Sequence, residues 1–455
     1  MTADRGLDID SPTLHGRAAI SPELITKITR CIEDRIEHAP LGRTASRSQM
    51  DGALDGSITA DGLGEAEAWR RFVDGVTANT VGLDSERFLA FIPVSPSAAG
   101  VWMDALLGAM TFSAESWLEA AGAVAAENQT LRWLADVLGM PESAGGCFMS
   151  GGSIGNLSAL AVARDQATGR RMVAVADTAH ASVFNSLHLL GLEAVLIPTT
   201  ADGRMTAAAT ALAINGRSDI GIIIAAGGST NGGVVDDLAG LAELAETVGA
   251  WLHVDAAYGG AAMLLDECRP MFAGIERANS VVIDPHKWLF CPQGSCALLY
   301  KNPDLAMAVH RQHGPYLEVL HGDDDDVSWN PSDYGYQLTR RAAGLTLWFA
   351  LAVHGVRAHE QAVRVGITLA RYAVAQLNSV PQVTVLNDPM LSVVLFRRDG
   401  WDAATWRQWA GQLLADGTAF VAPTTWRGET VGRLVFLHPL TPTSVVDQIV
   451  ASLAE

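Results

Sequence analysis

From Gly145 onward the chain alternates short apolar runs with stretches of helical spacing, and this alternation restricts the fold more than any other feature. The runs fall at 172–176, 194–198, 221–226, 251–255, 280–283 and 296–300, with helical stretches such as 207–213 and 237–248 between most of them. Strands that alternate with helices build a parallel sheet with helices on both faces. Such sheets place their ligand groups at the C-terminal ends of the strands. The residues that close each run are therefore the first candidates for chemistry.

The run at 280–283 is stopped by Asp284-Pro285-His286, which leaves Lys287 at the mouth of the sheet between an imidazole and the indole of Trp288. Desolvation disfavours an ammonium ion, so a lysine here is expected to lose its preference for charge. A neutral lysine amine is a nucleophile suited to Schiff-base chemistry. Taken alone, a lysine after a strand is more often a surface charge. Three other segments tip the balance. The run at 251–255 ends in Asp255, an acid at a strand end, although aspartate is also a favoured helix cap. Ser150-Gly-Gly152-Ser153-Ile-Gly155 precedes a helical stretch, where open backbone N–H groups and the helix dipole attract anions. It is neither a Walker loop nor a dinucleotide-binding turn, and Gly-Ser turns are common. His180 follows the run at 172–176, placed to stack on a flat ring or to serve as a cap or core residue.

A lysine for an aldehyde and an acid for a pyridinium nitrogen are the pair that pyridoxal phosphate (PLP) needs. Together these segments resemble the PLP-dependent group II decarboxylases, the aromatic-L-amino-acid and glutamate decarboxylase-like family of fold type I. The resemblance rests on Asp284-Pro-His-Lys-Trp288 and His253-Val-Asp-Ala-Ala-Tyr258, and extends from about Phe88 to the C-terminus. It implies an α/β fold of the aminotransferase type with a mainly parallel central sheet. An N-terminal helical segment (1–87) would wrap a dimer partner, a large domain (88–355) would bind PLP, and a small α+β domain (356–455) would follow. Lys287 would hold PLP, Asp255 would keep its ring nitrogen protonated, and His180 would stack on the ring. Gly152 and Ser153 would bind the phosphate, with Ser182 or Asp284 assisting and His286 adjoining. Thr230 would contact the ring and Ala257 would pack beneath it.

The implied reaction converts an L-amino acid, aromatic or apolar by preference, to its amine and CO2. Phe88, Phe91 and Ile92, with Trp117 near, occupy places that line the substrate pocket in the family. Ser85-Glu86 replace the family's usual His-Pro there, so small or acidic substrates stay open. Aligning on Gln337-Leu-Thr-Arg-Arg341 sets Pro331 where the family carries a loop tyrosine that protonates the reacting carbon. Tyr334, Tyr336 and Tyr316 are the nearest substitutes, and Tyr334 is the expected donor. If no tyrosine serves, a decarboxylation-dependent oxidative deaminase is the alternative. Another fold type I enzyme and a silent PLP-binding scaffold are the remaining readings.

Composition bounds the partners. The 455 residues are 49% hydrophobic and 18% charged, enough for a large core and too long for one ordinary domain. A formal net charge of −19 disfavours nucleic acid and anionic membranes. No apolar run is long enough to cross a bilayer, and no signal peptide is visible. The cysteines Cys31, Cys147, Cys268, Cys291 and Cys296 are odd in number and scattered, which predicts reduced thiols, no metal site and a cytoplasmic protein. Residues 21–37 read as an amphipathic helix whose apolar face, around 25–32, needs a partner such as a second copy. Residues 43–62, rich in Gly, Ser and Asp, read as a loop. Long helices are expected from Glu115 through Asp136 and over 357–377, and later strands near 383–386, 391–396 and 433–436. The stretch 313–337, with its acidic run at 323–326, reads as a solvated loop or a lid over the cofactor. Residues 1–18 read as a polar, mobile end.

Overall fold

The computed structural model describes residues 14, 19–321 and 329–454. The acidic run at 323–326 and all of 1–18 except Leu14 lie outside the described residues. Two compact units are present, Met1–Ser85 and Glu86–Glu455.

In the first unit, the helix Pro22–Glu37 starts where Ser21-Pro22 predicts, with the Ser21 side chain accepting from Leu24 N. None of its residues is buried within the chain, and Ile25 is 53% exposed. Arg35 holds Asp84 through two hydrogen bonds of 2.7 and 2.5 Å. A second helix, Arg47–Leu54, occupies the stretch that composition marked as loop. Ser46 accepts from Gln49 N while the Gln49 side chain accepts from Ser46 N. This reciprocal cap satisfies two orphan donors, and the Ser-x-x-Gln spacing was the signal hidden by the Gly, Ser and Asp content.

The second unit is built on a seven-stranded sheet. Its strands are β1 (Gly145–Met149), β2 (Met172–Ala176), β3 (Glu193–Ile197), β4 (Ile220–Ala226), β5 (Trp251–Asp255), β6 (Ser280–Ile283) and β7 (Cys296–Tyr300). The order is β1-β7-β6-β5-β4-β2-β3. The neighbours from β6 to β3 are parallel, and β7 runs antiparallel to both β6 and β1. The strands are rich in Val, Ile and Ala because both faces are covered. Leu134, Ile223, Val254, Val281 and Trp288 pack in one layer, and Val173, Ile222, Val282 and Leu298 in the other. Register aligns Ala226 of β4 with Asp255 of β5, and Asp255 with Val282 of β6. The turns that leave these three strands therefore emerge side by side.

A second sheet holds β8 (Val383–Val385), β9 (Val393–Arg398), β10 (Thr424–Trp426) and β11 (Glu429–Val435), all antiparallel in the order β10-β11-β9-β8. The strand β10 has no counterpart among the sequence expectations. Its hairpin turns at Arg427-Gly428, both at positive φ (51° and 84°), and an arginine in the first of these positions masks the turn. Among the described residues, no helix is long and apolar enough to cross a membrane.

Candidate active site

An open cavity of about 360 Å³ lies at the C-terminal ends of β2, β4, β5 and β6 and beside the turn after β1. Gly152, Ser153, His180, Thr230, Asp255, Ala257, Asp284, His286 and Lys287 all line it. The chain thus brings together residues far apart in sequence by ending successive strands at one rim.

The turn after β1 leads into the helix Gly152–Gln166, and no side chain caps that helix among the described residues. Ile154 N donates to the Gly151 carbonyl at 3.1 Å, while the N–H groups of Gly152 and Ser153 have no partner inside the helix and are available to an anion in the cavity. Space at these glycines is tight. A Cβ on Gly152 would lie 2.8 Å from Asp284 Oδ2, and one on Gly155 would lie 2.8 Å from Cys296 Sγ.

Lys287 Nζ sits 3.0 Å from Asp284 Oδ2. Burial pulls the lysine pKa down, but attraction to Asp284 and then Asp255 outweighs it and leaves the group above the usual lysine range. This corrects the expectation that Lys287 loses its charge, which rested on burial alone and left out the attraction of Asp284 and Asp255. Asp255 Oδ2 accepts from Asn156 Nδ2 at 2.9 Å, and Oδ1 from Ala257 N at 3.2 Å. His180 is the N-cap residue of the helix Ala181–Leu190, its Nδ1 accepting from Ser182 N at 3.2 Å, and it still lines the cavity. His286 is tied by Nδ1 to the Ser295 carbonyl at 2.5 Å.

Other candidates lie elsewhere. Phe88 is buried against Phe420, with ring centroids 4.9 Å apart, because residues 88 and 420 form a β-bridge that turns the ring into the core. Ile92 packs on the large core. Phe91 and Trp117 are 60% and 39% exposed. None of these four lines the cavity of its own chain. Tyr334 also requires correction. It is buried, it stacks on Trp329 at 4.0 Å, and it closes a buried turn, Pro331–Asp333. Burial and the neighbouring Asp333 push its phenol far above the usual range. It does not line the cavity, so the structure does not make it the loop donor. The polar run Trp329-Asn-Pro-Ser-Asp-Tyr334 concealed an aromatic stack. Beyond it, Arg340 is anchored by a buried bidentate pair with Glu127, whose Oε1 also accepts from Gly344 N at 2.9 Å.

One residue escaped the sequence reading altogether. Arg433 of β11 is buried, and its guanidinium donates to the carbonyls of Asn231, Thr230 and Phe91. Burial lowers its pKa to about 10. It clamps the Thr230 turn to Phe91, whose φ of 49° is strained for an aromatic residue. Only the small sheet brings it there, so no local signal announced it.

The pyridoxal-dependent decarboxylase conserved domain matches residues 74–399. The chain belongs to the pyridoxal-dependent decarboxylase family. This decarboxylase is 30% identical over 434 residues to an aromatic-L-amino-acid decarboxylase of Bacillus atrophaeus, a match that covers 91% of this chain and 90% of that one. It is 31% identical over 369 residues to an L-2,4-diaminobutyrate decarboxylase of Rhizobium meliloti (strain 1021), covering 77% and 74%. Its fold is that of Oryza sativa TDC, solved with PLP and tryptamine, at a TM-score of 0.88, 24% identity and coverage of 95% and 99%. Its cofactor is PLP and its reaction is amino-acid decarboxylation. The cavity fits that cofactor: an amine for the aldehyde, a carboxylate for the ring nitrogen, an imidazole beside the ring, and an uncapped helix start for the phosphate.

Proposed function

We propose that this decarboxylase takes an aromatic or apolar L-amino acid, in a cytoplasmic homodimer whose two copies share their active sites. PLP supplies a ring that withdraws electrons from the substrate's α-carbon. The chain supplies the rest. Lys287 would hold the cofactor's aldehyde, Asp255 would keep the proton on its ring nitrogen, and His180 would lie against the ring. The open start of the helix Gly152–Gln166 would hold the phosphate, and the Arg433 clamp fixes Thr230 at the cavity edge. With Tyr334 buried, return of a proton to the α-carbon falls to Lys287. It lines the cavity and, charged beside Asp284, has a proton to give.

The observation that carries the substrate reading is Phe91, an aromatic residue kept at positive φ and left 60% exposed, outside its own cavity. Such strain persists where function uses it. In a dimer, Phe91 and Trp117 would enter the partner's cavity, with Phe88 and Ile92 behind them. Trp102, Leu106, Met110 and Phe112 add an apolar surface for a second copy, and free cysteines support a reducing compartment. The test is a panel of L-amino acids incubated with PLP-loaded protein and followed by mass spectrometry, with the particle mass measured in parallel. Amine and CO2 in equal amounts from tryptophan, phenylalanine or leucine are expected, from a dimer. Preference for glutamate or diaminobutyrate, or full activity as a monomer, overturns the reading. Pro331 at the family's tyrosine position favours a second reading, oxidative deamination, which would show as aldehyde and hydrogen peroxide in place of amine.

A further inference from the structure

Behind Asp255 lies a set of buried polar side chains that direct contact with the cofactor does not explain. Asn156, 1% exposed, is its branch point. Its Nδ2 donates to Asp255 Oδ2 at 2.9 Å and to Ser182 Oγ at 3.1 Å. Both amide hydrogens are thereby committed, and Oδ1 can only accept. A flipped amide would set an oxygen against the Asp255 carboxylate. Asn156 Oδ1 lies 2.9 Å from His253 Nε2, so that nitrogen carries a hydrogen. His253 is fully buried, and burial lowers its pKa to about 4, so the ring is neutral and Nδ1 is a bare acceptor. It takes the Ser280 hydroxyl hydrogen at 2.8 Å, and Ser280 Oγ accepts from Trp251 Nε1 at 2.9 Å. On the other branch, Ser182 Oγ accepts from Asn156 and passes its own hydrogen to His180 Nδ1 at 2.8 Å. Every bond runs one way, from the Trp251 indole to the acid and the imidazole of the site. Bonds so aligned polarise one another.

We propose that Asn156 and His253 are positioning residues, which keep donors on the Asp255 carboxylate and, through Ser182 Oγ, reinforce the Nε2–H tautomer of His180 that the Ser182 backbone N–H already favours. The inference rests on the cofactor assignment and not on which amino acid is consumed. Losing His253 releases the Asn156 amide, which can then rotate and present its oxygen to Asp255. Glutamine can replace the histidine, since its NH2 donates to Asn156 and its carbonyl accepts from Ser280.

The test uses PLP-loaded His253→Phe and His253→Gln, with PLP labelled by 15N at the ring nitrogen. The 15N shift reports whether that nitrogen holds its proton, and visible absorbance reports separately that PLP is bound. His253→Phe is expected to move the shift toward the unprotonated value. Its kcat should fall by about tenfold to a hundredfold, the usual cost of losing a group that orients a site ligand. His253→Gln is expected to restore both. A wild-type shift in His253→Phe, or equal loss in both variants, overturns the proposal. Should His253→Phe fail to fold, Ser182→Ala decides the matter: it is expected to shift the His180 imidazole nitrogens and leave the PLP ring nitrogen as in the wild type. Unmoved His180 signals would overturn the proposal. Loss of bound PLP from the wild type itself would instead strike at the cofactor assignment.

Discussion

Gly152→Ala separates cofactor binding from folding stability. The added Cβ would meet Asp284 Oδ2 at 2.8 Å and Oδ1 at 3.1 Å, against an ordinary contact that begins at 3.4 Å. Relief needs a shift of 0.6 Å (3.4 − 2.8). Asp284 is 2% exposed and held by Lys287, so its retreat is toward the cavity. Without PLP that space is open. With PLP bound it is filled, and the overpacking is felt in full, at about 1–3 kcal/mol. Affinity for PLP should fall by about 5- to 150-fold. The empty protein should melt no lower than the wild type, because alanine lowers the entropy lost at a helical position by about 0.5–1 kcal/mol relative to glycine. The assay is a PLP titration by visible absorbance, with melting curves at each end. Gly411→Ala is the control. It lies in the helix Ala403–Ala415 with nothing within 4 Å of its Cβ, so it should stabilise without touching PLP affinity. If Gly152→Ala binds PLP as tightly as the wild type, the steric argument for the phosphate end is wrong.

Four other outcomes follow from the geometry. Lys287→Ala should lose the borohydride-fixed cofactor adduct, and an adduct mapped to Lys301 instead would contradict the assignment. Asp255→Asn should still bind PLP while turnover drops by about a hundredfold or more, since a preorganised charge is removed; normal turnover would refute its role. Glu127→Ala strands the buried Arg340 and should cost about 3–5 kcal/mol in urea unfolding, whereas an unchanged midpoint would show the pair to be ornamental. His253 has its pKa lowered from 6.5 to about 4, so the unfolded chain takes up the proton first. Its contribution to stability is complete above 6.5 and is lost as pH falls toward about 4, so wild type should lose stability relative to His253→Gln across that window. Parallel pH curves for the two proteins would count against a neutral buried ring.

The sheet was legible because β2, β5, β6 and β7 are short, apolar and bounded by turn residues, and burial on both faces leaves no other use for such runs. Lys287 and Asp255 were legible because strand ends converge. What escaped is what depends on partners distant in sequence. The charge on Lys287 is decided by acids whose distance no run of letters gives. Tyr334 looked free because its neighbours are polar, yet the Trp329 ring across the turn holds it. His253 could have been found: residues 253 and 255 share a face of β5, since side chains alternate along a strand. Arg433 could not, because the fold of another sheet delivers it.

The lone antiparallel strand also orders events in time. β1 stands at the sheet edge, and its pairing partner is β7, with Gly145 opposite Tyr300 and Met149 opposite Cys296. A nascent chain that has emerged only as far as Ser295 already contains β2 to β6, but β1 still has its main-chain groups open. Contacts this distant in sequence close late. The turn proposed to bind the phosphate hangs from β1, so a ribosome-bound chain would complete its lysine and its aspartate before that turn is fixed. Capture of PLP would then wait for β7, with the small sheet still to be made.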